Sequence, residues 1–301
     1  MPAQITLPTR TLGRTGLDVS ILGFGAEAIG RHGRSFDDAE RTLNAVLDAG
    51  ISLIDTASAY GNAEAFIGRA IAQRKHEFTL VTKCGWTRDW APAWSPDEIA
   101  ATIDQSLDHL KSEALDVLLL HSCPLEALKQ GEVITAIQKA RSLGKARFIG
   151  YSGDNEALQF AVNSGAFDVI ECSFNMLDQA NATTIAEAQR RSIGVLIKRP
   201  IANAVPGRTE KPRGEYAAQY WPRWQALGLS NRDIGNLPWL EAAARFSAFC
   251  PGVTSILVGS SHADHMIENA RMLAQGPLPS SIVVRVCEAF AAVGFNLPAL
   301  G

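Results

Sequence analysis

Eight short apolar runs recur along the 301-residue chain, each followed by a stretch that can form an amphipathic helix, and this alternation leaves few folds open. The runs are SILGFG, ISLID, FTLVTK, LDVLLLH, ARFIGYS, DVIECSF, GVLIKRP and SILVGS, starting at Ser20, Ile51, Phe78, Leu115, Ala146, Asp168, Gly194 and Ser255. Strands separated by helices pair in parallel, and a parallel sheet is covered on both faces. Eight such units predict a closed (β/α)8 TIM barrel, one domain over residues 1–301. The helices between the strands carry their own signals. In DDAERTLNAVLDAG, Ala39, Leu43 and Val46 fall at helical spacing before Gly50, and Ser95 with Pro96 reads as a cap and first helical residue. Further helices are predicted over 125–142 and 237–249. The opening TLPTRTLGRTGLDVS alternates turn residues with extended pieces and predicts a hairpin ahead of the first barrel strand.

Composition narrows the class of function. With 47% apolar and 20% charged residues the chain can build one large core, and its net charge of -3 offers no basic field for nucleic acid or an anionic membrane. No apolar segment is long enough to span a bilayer, and MPAQITLPTR lacks a signal core, so a cytoplasmic enzyme is the expectation. The five cysteines, Cys84, Cys123, Cys172, Cys250 and Cys287, have neither CxxC nor metal-ligand spacing, which predicts free thiols and no metal site.

An acid-base set stands at successive strand ends, the face where βα loops of a barrel converge. Asp55 and Tyr60 lie in ISLIDTASAYG, Lys83 closes FTLVTK, and His121 closes LDVLLLH. A carbonyl that accepts a hydride gathers negative charge on oxygen and needs a proton donor and a polarising group there. Tyr60 can donate that proton. A free tyrosine titrates near ~10, and an adjacent ammonium from Lys83 is expected to lower this value. Asp55 can hold the lysine charged despite burial, and His121 can orient the carbonyl. Each residue alone has an ordinary structural use: a helix cap for Asp55, a strand end for Lys83, core for Tyr60, a satisfied imidazole for His121. Their joint placement at neighbouring strand ends favours catalysis.

On these residues the chain resembles the aldo-keto reductase superfamily, whose catalytic Asp, Tyr, Lys and His fall on Asp55, Tyr60, Lys83 and His121. RTLGRTGLDVSILGFG, DTASAYG, LLLHS, GKARFIGYS, FNMLDQ and ILVGSSHADHMIEN extend the likeness over nearly the whole chain. The resemblance implies a hairpin closing the barrel bottom and hydride transfer between NADPH/NADP+, or NADH/NAD+, and a small-molecule carbonyl or alcohol. It also implies a nicotinamide amide site at Ser152, with Gly153 where asparagine is usual, Glu171 where glutamine is usual and Lys198 where an aromatic is usual. Ala26 and Glu27 likewise replace a threonine and a bulky apolar residue, with Glu27 and Trp86 facing substrate. For the adenosine phosphate the resemblance points to Gly259, Ser260, Ser261 and His265, with Glu268 and Asn269 at the adenine. The usual lysine and arginine fork for the extra phosphate of NADP is missing at Gly259 and His265. No GxGxxG follows the first strand, so a Rossmann site is not indicated.

The stretch from Ile201 to Asn236 interrupts the regular alternation and carries Tyr216, Tyr220, Trp221 and Trp224. Long connections at this end of a barrel serve as lids or as peripheral packing. As a lid, it would bring Trp221 and Trp224 to the substrate. Two other functional classes compete with the reductase: a dinucleotide-binding redox-sensing or regulatory subunit with little turnover, and a barrel isomerase or lyase that uses no nicotinamide.

Overall fold

In the computed structural model, which describes residues 6–31, 33–294 and 297–300, all eight predicted runs are strands. A two-stranded antiparallel hairpin comes first, β1 (Thr9–Thr11) with β2 (Asp18–Ser20). The barrel strands are β3 (Leu22–Gly25), β4 (Leu53–Asp55), β5 (Thr79–Cys84), β6 (Leu115–His121), β7 (Ala146–Ser152), β8 (Val169–Ser173), β9 (Gly194–Lys198) and β10 (Ser255–Gly259). They pair in parallel in chain order, and β10 returns to β3 to close the ring. Closure leaves the barrel sheet without an edge. No helix among the described residues is long and apolar enough to cross a membrane.

Period-two alternation sorts the barrel interior into two layers. Leu53, Val81, Val117, Leu119, Val169, Leu196 and Leu257 form one apolar cluster, each side chain contributing about 1.5–3 kcal/mol by leaving water. Two residues further along each strand the same inward positions carry Asp55, Lys83, His121, Glu171 and Lys198. A charged layer therefore rests on an apolar floor. The hairpin seals the floor from below: Leu12 and Val19 are fully buried within the same cluster. Gly13 makes this possible with φ of +54°, since a Cβ there would fall 2.2 Å from the backbone nitrogen of Gly194. Arg14 pins the plug, its backbone N–H donating to the Ser192 carbonyl at 2.7 Å and its guanidinium pairing with Asp168 at 3.1 Å.

The outer helices follow their sequence signals with one correction. Ser35 caps Phe36–Asp48, and Ser95 with Glu98 forms a capping box at Pro96–Leu110. The stretch over 125–142 is two helices, Leu125–Gln130 and Glu132–Ser142, because Gly131 takes φ of +83° and stops the first. The interruption from Ile201 to Asn236 contains a helix, Glu215–Leu227, between two short 3₁₀ turns.

Candidate active site

Asp55, Lys83 and His121 point inward from β4, β5 and β6, and Tyr60 reaches the same space from the loop after β4. The Lys83 ammonium has no exposure and three donors. It gives them to both Asp55 oxygens, each at 2.6 Å, and to the Thr56 carbonyl at 3.1 Å. Glu171 Oε2 lies 3.2 Å from the same nitrogen yet has no hydrogen-bond partner, because the donors are already committed. The ammonium sits 5.2 Å from the centre of the Tyr60 ring, which meets the His121 ring edge-on at 5.7 Å. Trp86 Nε1 donates to the His121 carbonyl at 2.5 Å, tying the loop after β5 to the end of β6.

Burial dominates the titration of these groups. Desolvation would push the Lys83 ammonium down, but Asp55 and Glu171 outweigh it and hold the group above its ordinary value. Burial and the Glu171 charge lift Asp55 well above the usual carboxylate range against the pull of Lys83. His121 is driven well below its ordinary value by burial and by Lys83 and Lys198, so the imidazole is neutral at neutral pH. Tyr60 corrects the sequence expectation. Burial raises its hydroxyl, and the opposing pull of Lys83 does not reverse this, so the unliganded site holds a protonated phenol. Cys84 and Cys123 are buried beside these residues, and burial pushes both thiols up to about 12, which keeps them inert.

Above Tyr60 opens a cleft of about 360 Å³, bordered by Glu27, Arg31, Asn62, Arg88 and Trp90. Glu27 pairs with Arg31 at 2.8 Å, and Arg88 bonds Asn62. Trp90 lies 5.5 Å from the His121 ring, 6.1 Å from Tyr60 and 6.1 Å from Trp86. It is 51% exposed and holds φ of +57°, an uncommon value for a bulky residue. Sequence reasoning named Trp86 and passed over Trp90, although Trp86, Trp90 and Trp94 recur at spacings of four in one loop. Trp221 and Trp224 stand elsewhere. Trp224 packs edge-on against Trp239 at 4.6 Å and donates to the Arg208 carbonyl at 3.1 Å, while Trp221 is half-buried on the same helix. Tyr220 is fully buried, its hydroxyl accepting from Asn175 at 3.1 Å.

The profile of the aldo/keto reductase family matches residues 21–289. The chain belongs to the aldo/keto reductase family. L-galactose dehydrogenase of Arabidopsis thaliana is 27% identical over 275 residues, covering 86% of each chain. D-threo-aldose 1-dehydrogenase of a Pseudomonas species is 25% identical over 316 residues, covering 91% of this chain and 95% of that one. The holo form of an aldo-keto reductase from Bacillus halodurans superposes with a TM-score of 0.83 at 24% identity, over 94% and 96% of the two chains, and shares the fold. As a member of this family the chain is an oxidoreductase.

The residues that the sequence points to for a dinucleotide fall in two groups. Around the barrel mouth, Ser152 donates to Glu171 Oε1 at 3.0 Å and Lys198 pairs with Asp154 at 2.9 Å. Gly153 has a local cause, since a Cβ there would lie 2.3 Å from the Tyr151 hydroxyl, which donates to the Cys123 carbonyl. At β10, a Cβ on Gly259 would come within 3.1 Å of the Gly25 carbonyl, so glycine keeps this backbone cradle open. The Ser260 hydroxyl accepts from the His262 N–H at 3.0 Å and faces His265 Nδ1 at 3.2 Å, just before helix Ala263–Leu273. Ser261 is half-buried in this turn. Glu268 is exposed on the helix, and Asn269 donates to the His265 carbonyl at 2.6 Å. Two orphaned buried atoms at the mouth, Glu171 Oε2 and His121 Nδ1, together with this open cradle, fit a polar ligand running from the mouth to β10.

Proposed function

We propose that this aldo/keto reductase exchanges a hydride between a nicotinamide dinucleotide and a small polyhydroxylated carbonyl compound or its alcohol, with Tyr60 handling the proton. The carrying observation is the Lys83 ammonium, held charged by Asp55 and 5.2 Å from the ring of a protonated tyrosine that shares its cleft with a neutral histidine. When bound, the nicotinamide supplies or accepts the hydride, which no side chain can do. In the reducing direction the Tyr60 hydroxyl gives its proton to the carbonyl oxygen as the new C–H bond forms. The resulting phenolate faces Lys83, whose charge stabilises it, and solvent restores the proton before the next turnover. His121, being neutral, can donate an N–H to the same oxygen and fix its position. In the oxidising direction Tyr60 first gives its proton to solvent, and the phenolate, stabilised by Lys83, then takes the alcohol proton as the hydride leaves.

The cleft supports the substrate class. Glu27, Arg31, Asn62 and Arg88 offer donors and acceptors for several hydroxyl groups, while Tyr60 and Trp90 offer aromatic surface for a carbon face. Two relatives carry sugar substrates in their names, L-galactose and D-threo-aldose. Ser152, Glu171 and Lys198 are assigned to the nicotinamide end, and Gly259, Ser260, Ser261, His265, Glu268 and Asn269 to the adenosine phosphate. NADPH/NADP+ is the expected pair, with NADH/NAD+ also accepted because no basic fork is present. Turnover of both cofactors against aldoses, aliphatic aldehydes and aromatic aldehydes tests the reading, with aldoses expected to be fastest. Tyr60→Phe is expected to lower turnover by about two to four orders of magnitude with cofactor affinity unchanged. A variant that keeps more than about a tenth of the rate refutes the role of Tyr60.

A further inference from the structure

Residues 298–300 lie in no helix or strand, yet side chains from the rim of the barrel satisfy their peptide groups. The Ala299 N–H donates to Asn155 Oδ1 at 2.7 Å, and its carbonyl accepts from Asn155 Nδ2 at 3.1 Å. The Leu300 N–H donates to Asp178 Oδ2 at 2.8 Å, and its carbonyl accepts from Ser173 Oγ at 3.2 Å and from Arg199. The Pro298 carbonyl accepts from Arg223 Nη2 at 2.6 Å. The segment reaches two places at once. Pro298 borders a second cleft, of about 630 Å³, with Asp154, Asn155, Asn181 and Thr184. Leu300 touches Ser173, two residues beyond Glu171 on the inward face of β8, and Ser173 Oγ also lies 3.3 Å from Asp154, the partner of Lys198.

Two of these anchors are left short by the arrangement. Asp178 and Arg223 are both buried and lie 3.4 Å apart, but Asp178 Oδ1 and Arg223 Nη1 have no hydrogen-bond partner, while the other atom of each is engaged by the segment. Burial raises Asp178 only to about 6, so its carboxylate faces the guanidinium as an anion at neutral pH. With the segment withdrawn, the two groups can meet in the two-bond geometry that guanidinium and carboxylate favour. Seating and release are both compensated, which is what a two-state element requires. We propose that residues 298–300 are a reversible latch on the β8–β9 side of the mouth, held by Asn155 when seated and by a direct Asp178–Arg223 pair when released, and that the dinucleotide enters and leaves while it is open. The second half rests on the nicotinamide reading given above. Arg223 belongs to helix Glu215–Leu227, so the latch also ties the long stretch after β9 to the barrel.

Hydrogen exchange at the Leu300 amide and stopped-flow binding of NADPH test this on the whole chain. In the wild type the Leu300 amide is expected to exchange well ahead of the β8 and β9 amides, because opening is local. Exchange as slow as in those strands overturns the latch. Asn155→Gly removes both Ala299 bonds at a residue whose φ of +58° suits glycine, and leaves the Asp178 acceptor in place. It is expected to speed Leu300 exchange, NADPH association and NADPH dissociation about tenfold or more, the size of two neutral hydrogen bonds, with the dissociation constant unchanged. Asp178→Asn keeps an oxygen for the Leu300 amide but denies the released state its ion pair, so it is expected to slow all three. A fixed wall responds the other way, since a weaker acceptor only loosens it, and faster Leu300 exchange in Asp178→Asn overturns the latch. If that variant does not fold, exchange in the wild type and in Asn155→Gly still decides. NADPH rates that stay at wild-type values while exchange shifts as expected overturn the gating role and leave the nicotinamide reading intact. A chain that binds neither NADPH nor NADH overturns the nicotinamide reading and the gating role together, and the exchange results still decide the latch.

Discussion

Replacing Lys83 by methionine removes the cation that the buried Asp55 and Glu171 carboxylates share, while keeping much of the side-chain volume. In the wild type all three ammonium hydrogens are used, two on Asp55 and one on Thr56. The variant strands both Asp55 oxygens and deepens the isolation of Glu171, which already lacks a partner at Oε2. Breaking a buried ion pair from one side costs about 3–5 kcal/mol, far more than an exposed pair is worth. For a chain of this size that corresponds to a fall in melting temperature of roughly 5–10 °C. The pH dependence separates this cause from a packing defect. Asp55 already titrates above its ordinary value, and without Lys83 it climbs further. A group whose value is raised on folding stabilises the protein below its unfolded value and loses that contribution as pH rises through the folded value. The deficit of Lys83→Met should therefore be largest at about pH 8 and should narrow as the pH is lowered toward about 5. Circular dichroism melts at several pH values measure this directly. A variant that melts with the wild type at about pH 8, or whose deficit is the same at every pH, refutes the buried-charge account.

The aromatic residues divide by role: Trp90→Ala should raise the Michaelis constant for substrate at nearly unchanged melting temperature, since Trp90 is half exposed over Tyr60 and His121. Trp224→Ala should instead lower stability by about 2 kcal/mol with near-normal kinetics, because its ring packs on Trp239; thermal melts beside steady-state kinetics check both. His265→Arg alone should improve NADPH affinity relative to NADH by adding a charge-assisted contact beside Ser260, and equal affinity changes for the two cofactors would place the extra phosphate elsewhere. A lysine at Gly259 is the less suitable probe, because its Cβ would press on the Gly25 carbonyl.

The barrel was legible because its signal is repeated: eight apolar runs separated by helical stretches leave one economical closure. The inward set was legible for a related reason. Once Leu53 and Val81 are assigned to the interior, period two carries Asp55 and Lys83 to the same face, and strand order brings them side by side. What escaped depends on loops and on strands that are not neighbours. Glu171 was read as a cofactor contact, but its approach to Lys83 crosses the barrel from β8 to β5, and no local pattern in either strand encodes that distance. Trp90 was missed because its position over the cleft is fixed by a positive φ in an irregular loop. The sign of the Tyr60 shift was misjudged because residue types reveal the ammonium but not the burial that outweighs it. Trp221 and Trp224 looked like a lid as a cluster of aromatics after the seventh barrel strand, yet the partner that engages Trp224 is Trp239, in the next helix.

Among the described residues, the plug at Leu12 and Val19 closes the barrel on the hairpin side and leaves the mouth open. On the hairpin side the layer beneath Lys83 is covered by fully buried apolar side chains. Traffic to the charged layer must pass through the mouth that ligands themselves fill. A ligand seated there stands between Tyr60 and solvent. On the proposed mechanism the proton that Tyr60 exchanges with solvent is taken up or released between turnovers, while the mouth is open.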